Sequence, residues 1–193
     1  MNRREAISRV ALVLGGTVIG ANAFLTGCSP KKSEVAAGAL DFSTDNIAFL
    51  DEVGETILPK TAASGGAKEA KIGEFMKLIV SDCYEENEQK TFMETFAKLN
   101  EASNKKFSND FMDLSAEDKT ALLVEIDKEA ATYKDTKKKE DPAHYFSMVK
   151  QLTLWGYFTS EVGSKQALRW LPVPGKYDGC YPYKKGDKAW AQI

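Results

Sequence analysis

His144 is the only histidine in this chain, and with no GxSxG motif beside it a serine hydrolase is excluded. No GxGxxG follows a strand pattern and no P-loop occurs, so the usual phosphate-cradling loops of dinucleotide and nucleotide folds are absent. Cysteine is scarce: there are three, none in CxxC spacing and none in CxxCH, which excludes covalently attached c-type haem. Arginine is nearly missing beyond residue 9, where Arg169 is the one example and every other cation is lysine. No basic patch suits nucleic acid. Alternating strand patterns are not found, and no internal repeat is visible. Acidic pairs such as Asp51-Glu52 and Glu85-Glu86 fall on expected solvent faces, with no spacing that suggests a glycosidase pair.

What is present begins at the N-terminus. Arg3-Arg4 precedes a weakly apolar run from Val10 to Leu25, diluted by Gly15, Gly16, Thr17 and Gly20. This run spans 16 residues, short of the about 20 that a bilayer core requires. Leu25-Thr26-Gly27-Cys28 follows and reads as a lipobox. Residues 1–27 are therefore expected to be a twin-arginine lipoprotein signal, with lipidation at Cys28 and a flexible tether over 28–43. Two or more acyl chains at Cys28 would suffice for stable anchoring. The twin-arginine route carries folded proteins, so the chain should either hold a cofactor or escort a partner that does. Arg3, Arg4 and Arg9 against Glu5 make the signal net +2, which leaves the remaining chain at −4.

Residues 44–193 read as one helical domain, all-α, a compact bundle of about five or six helices. Thr44 offers an N-cap for a first helix through Leu58, which Pro59 ends. Apolar spacing predicts helices over about 68–83, with Ile72, Phe75, Met76, Ile79 and Val80 on one side, and over about 86–105, with Phe92, Phe96 and Leu99. Ser115 with Asp118 opens a fourth helix. Lys134–Glu140 reads as a charged loop, and Pro142 suits the first turn of a fifth helix through about Tyr157. Thr159 or Ser160 caps a short sixth. From about residue 171 the prolines and glycines predict a long irregular arm rich in Pro and aromatics.

Distinctive residues gather at this C-terminal end. All three tryptophans lie in the last 40 residues. A segment dense in aromatics and small polar groups, Trp155, Gly156, Tyr157, Phe158, Thr159, Ser160 and Glu161, precedes Arg169, Trp170, Tyr177, Tyr181, Tyr183 and Trp190. Tyr, Trp and Arg anchor interfaces, and the arm has more apolar area than it can readily bury on its own bundle. These residues are the candidate partner interface. His144, beside Tyr145-Phe146, reads as a helix-start or interface residue rather than a base. Cys83 and Cys180 are an even pair in an exported chain, open to a bridge with each other, closing a loop of 98 residues, or with a partner subunit.

Several motifs occur in a recognisable order: Leu50-Asp51-Glu52-Val53-Gly54-Glu55-Thr56-Ile57-Leu58-Pro59, Gly66-Ala67-Lys68, Asp82-Cys83-Tyr84, Gly156-Tyr157-Phe158-Thr159-Ser160-Glu161 and Pro174-Gly175-Lys176-Tyr177-Asp178-Gly179-Cys180. On these the chain resembles the gluconate 2-dehydrogenase subunit 3 family, from about Phe49 to Trp190. The loop Thr61-Ala62-Ala63-Ser64-Gly65 departs from the proline-bearing version of that family. The resemblance implies a non-catalytic small subunit with no cofactor of its own. Its partner would be an FAD-loaded large subunit of the glucose-methanol-choline (GMC) oxidoreductase class, with a cytochrome c carrying haem c as a further subunit. The small chain would supply the export signal for the folded flavoprotein, and the complex would oxidise a sugar hydroxyl in the periplasm, held to the membrane by the lipid anchor. A stand-alone surface lipoprotein that binds a ligand or acts as an adaptor is the alternative.

Overall fold

The computed structural model describes residues 40, 42–173 and 175–191. Arg3, Arg4, the apolar run and Cys28 lie outside them, as does Pro174. Helix α1 spans Thr44–Ile57. Its cap is one residue earlier than expected: the Ser43 hydroxyl accepts the Asn46 N–H at 3.3 Å, and Thr44 is already helical. Before Pro59 the helix closes with the Leu58 N–H donating to the Gly54 carbonyl at 2.8 Å.

Helix α2 covers Ile72–Cys83, later than the expected start at residue 68. Residues 67–71 form a turn instead, ending on Lys71 in the left-handed region with φ 54°. The N-terminus of α2 is satisfied from another helix, because the Gly73 N–H donates to Asp51 Oδ1 at 2.7 Å. Helix α3, Glu86–Phe107, opens with a capping box between Glu85 and Glu88 and stops at Ser108, also left-handed. A single 3₁₀ turn at Phe111–Asp113 tucks Phe111 into the core.

Helix α4 is Ala116–Thr136, capped by the Ser115 hydroxyl, which accepts the Asp118 N–H at 3.1 Å. It runs on into the first residues of the expected charged loop. Helix α5, Tyr145–Thr159, starts three residues after Pro142. Pro142 is thus outside the helix, its carbonyl accepting the Tyr133 hydroxyl at 3.1 Å, and His144 is the N-cap. Ser160 then caps a short helical stretch that widens to a π turn over Gly163–Ala167, with the Leu168 N–H reaching back to the Gly163 carbonyl at 2.9 Å.

Among the described residues the architecture is all-α, with one isolated parallel bridge between Arg169 and Trp190. Helix α5 is the hub and packs against each of the other four. Val149 and Leu152 on α5 meet a core that includes Leu50, Val53, Met76, Val80, Phe92, Leu99, Leu122 and Ile126. Each such fully buried side chain contributes about 1.5–3 kcal/mol. No helix among the described residues is long and apolar enough to cross a membrane.

Candidate partner-binding surface

The motif residues of α1 hold the fold together instead of facing solvent. Asp51 caps α2, as described above. Glu52 is ion-paired on two sides, to Lys119 of α4 at 2.7 Å and to Lys68. Glu55 accepts the Lys60 N–H at 2.8 Å and the Lys68 N–H at 2.9 Å, fixing both ends of the loop that follows α1. The expectation of solvent-face charges is therefore corrected for Asp51 and Glu52, whereas Glu85 and Glu86 are exposed. The neighbouring carboxyls titrate in opposite senses. Burial raises Asp51 above its usual range, against the Gly73 N–H and the Lys68 charge. Burial acts on Glu52 too, but the hydrogen bonds and charges of Lys119 and Lys68 outweigh it and hold it low.

The segment 155–161 divides in two. Gly156 and Tyr157 are buried in this chain's own core, which corrects their expected place at a partner interface. A Cβ on Gly156 would come within 2.5 Å of the Phe75 ring. The Tyr157 hydroxyl donates to the Gly65 carbonyl at 2.7 Å, and the Gly65 N–H donates to Gln166 Oε1 at 2.8 Å. Phe158 is half-buried with its ring edge-on to Tyr157. The Ser160 hydroxyl donates to the Tyr157 carbonyl and accepts the Gly163 N–H, shaping the π turn. Facing outward are Thr159, Glu161, which is ion-paired with Lys165 at 2.7 Å, and Trp155, half exposed with its ring at right angles to Phe75. Two neighbours escaped the sequence reading: Leu154, and Leu78, which is 59% exposed one turn beyond Phe75. Leu78 was legible in principle, because it falls off the Ile72-Met76-Val80 stripe.

The arm does not wrap the core. Tyr177 is 96% exposed and Tyr183 75%, while Trp170, Tyr181 and Trp190 are partly open. Its two ends are joined. The Arg169 N–H donates to the Ala189 carbonyl at 2.7 Å, and the Ala191 N–H donates to the Arg169 carbonyl at 2.9 Å. Above this junction the Arg169 guanidinium stacks over the rings of Trp190 at 4.8 Å and Tyr181 at 5.3 Å, and those rings meet edge to face. Lys188 Nζ donates to the Gln166 carbonyl, and Lys165 Nζ lies over the Trp170 ring at 5.1 Å. Between the arm's two limbs is an open cleft of about 890 Å³, lined by residues that include Leu171, Tyr177, Asp178 and Tyr181.

Cys83 and Cys180 are free, exposed thiols in this structure. Their exposure leaves each accessible to another chain. His144 is a helix cap: its Nδ1 accepts the Phe146 N–H at 3.3 Å, and burial together with the Lys98 charge lowers its pKa, keeping the ring neutral for that role. Among the described residues no group of three or more His, Cys, Asp or Glu side chains converges as a metal site.

The sequence profile of the family described as gluconate 2-dehydrogenase subunit 3 matches residues 44–175, from the first residue of α1 into the arm. No curated protein and no solved structure matches the chain.

Proposed function

Because the chain belongs to the gluconate 2-dehydrogenase subunit 3 family, we propose that it is the non-catalytic small subunit of a periplasmic FAD-dependent sugar or glycoside dehydrogenase. Family membership makes it an accessory subunit of a dehydrogenase complex. The finer reading is that it escorts and stabilises a GMC-type flavoprotein, with a cytochrome c as electron acceptor. In this reading Arg3-Arg4 directs the folded complex through the twin-arginine route and Cys28 carries the lipid. The single observation that supports it most is the arm: its tyrosines stand in solvent on a chain whose core is otherwise well packed.

The experiment is a mild-detergent pull-down of the full chain from its native membranes, read by flavin absorbance and mass spectrometry. The expected result is a flavin spectrum and a large oxidoreductase partner, lost when Tyr181–Tyr183 are deleted while the helical bundle stays folded. A colourless monomer would overturn the subunit reading. One observation favours the second reading, a stand-alone lipoprotein with a ligand site: the cleft between the arm's two limbs.

A further inference from the structure

The arm differs in charge from the rest of the chain. Residues 169–191 carry Arg169, Lys176, Lys184, Lys185 and Lys188 against Asp178 and Asp187, net +3, on a chain that is −2 overall. Each aspartate accepts a backbone N–H within its own turn, Cys180 N–H to Asp178 at 3.2 Å and Lys184 N–H to Asp187 at 2.9 Å, and neither is ion-paired with a lysine among the described residues. Lys176, Lys184 and Lys185 form no ion pair with any described residue. Arg169 is engaged within the arm, its guanidinium over the rings of Tyr181 and Trp190.

We propose that Arg169 is the staple that holds residues 169–190 as a closed loop before assembly, and that the loop's cationic, aromatic outer face docks on an acidic surface of the dehydrogenase subunit. This rests on the subunit reading above. A loop already closed loses less freedom on binding, so its contacts yield more affinity. Net +3 on the loop, on a chain that is acidic elsewhere, also orients the subunit toward an acidic seat. The planar guanidinium suits a position between two rings, and an ammonium does not replace it. Tyr, Trp and Lys are equally the residues of a lipid headgroup layer. Against that, both tryptophans of the loop are already engaged by cations of this chain, Lys165 over Trp170 and Arg169 over Trp190, and are only partly exposed.

The test uses the full chain with its native dehydrogenase, and far-UV dichroism to verify that each variant is folded. Arg169→Lys keeps the charge and removes the stacking. It is expected to lose hydrogen-exchange protection at the residue 169 and Ala191 amides by on the order of tenfold, and to weaken the complex. The double variant Lys184→Glu/Lys185→Glu keeps the staple and its protection, and is expected to weaken the complex at least about tenfold at low salt. The wild-type complex should loosen as salt rises. Unchanged protection in Arg169→Lys and Arg169→Ala overturns the staple. Unchanged affinity in the double variant overturns the docking. Binding of the wild type to anionic phosphatidylserine vesicles, abolished by the double variant while the dehydrogenase still binds, assigns the face to lipid and also overturns it. If the wild type brings down no dehydrogenase, the subunit reading fails and the docking with it, while the exchange result still decides the staple.

Discussion

The Tyr157 hydroxyl donates to the carbonyl of Gly65, tying the last turn of α5 to a loop 92 residues away in sequence. Gln166 takes the N–H of the same glycine, so the two polar groups of Gly65 are satisfied from α5 and from the π turn that follows it. Tyr157→Phe keeps the ring and removes the donor, leaving a buried carbonyl without its partner. The expected loss is about 1–3 kcal/mol, seen as a lower urea midpoint with an unchanged slope. An unchanged midpoint would mean that water replaces the phenol.

Glu52 is the hub of an ion-paired cluster between α1, α4 and the loop, and Lys119 opposite it is nearly buried. Glu52→Gln strands that ammonium and is expected to cost about 2–4 kcal/mol. Lys119→Met costs less, because Glu52 keeps Lys68. The pH dependence follows from the lowered carboxyl. Its folded pKa lies below the ordinary 4.5, so its stabilisation is complete above that pH and is lost as the pH falls through the folded value. The wild type should therefore lose stability on acidification more steeply than Glu52→Gln. Parallel curves of unfolding free energy against pH would refute this. Asp51, raised by burial, acts in the opposite sense. Asp51→Asn retains an acceptor for the Gly73 N–H and is expected to be neutral or slightly stabilising.

Three glycines rank by what an added methyl would meet. At Gly163 the Cβ would sit 1.9 Å from the Tyr157 carbonyl oxygen, a backbone atom that cannot yield without opening the π turn. At Gly156 it would meet the Phe75 ring at 2.5 Å, which must then shift together with Trp155. At Gly54 the nearest atom is the Ala67 Cβ at 3.2 Å. Alanine substitutions should therefore destabilise in the order Gly163, Gly156, Gly54, with the first two at about 1–3 kcal/mol or more. Thermal melts of the three variants check the order, and a Gly54 variant less stable than Gly163→Ala would break the argument.

Apolar spacing located α1, α2 and α3, because Leu50-Val53, Met76-Val80 and Phe92-Leu99 each form a stripe that a helix lines up, while the Ser115–Asp118 cap and Pro142 marked α4 and α5. The boundaries were less legible. Ser43 and Thr44 are both good caps, and sequence alone does not choose between them. At the start of α2, a capping carboxylate supplied by α1 and a left-handed Lys71 set the boundary, and neither is visible in the local sequence. The arm's irregular course followed from its prolines and glycines. Its closure did not, because the Arg169–Trp190 pairing joins positions with no periodic relation. Asp51 and Glu52 were misjudged for a related reason: an acidic residue on a helix reads as solvated until the neighbouring element that carries its partner is placed.

Thr95 presents the opposite case to Tyr157. It lies fully buried on α3 between Phe92 and Leu99, and its hydroxyl has no hydrogen-bond partner. Thr91, one turn earlier, donates to a carbonyl four residues back at 2.9 Å, so the usual local solution is available to this helix and Thr95 does not use it. An unpaired buried hydroxyl costs about 1–3 kcal/mol. Thr95→Val replaces it with a methyl of the same shape and is expected to raise the melting temperature, because the penalty disappears and the packing remains. Thr95→Ala removes the same hydroxyl but also a methyl, leaving a small void beside Phe92 and Leu99, and should gain less or lose. If valine destabilises as much as alanine, the hydroxyl is paired in solution and the core around α3 contains a water or a rotamer that satisfies it.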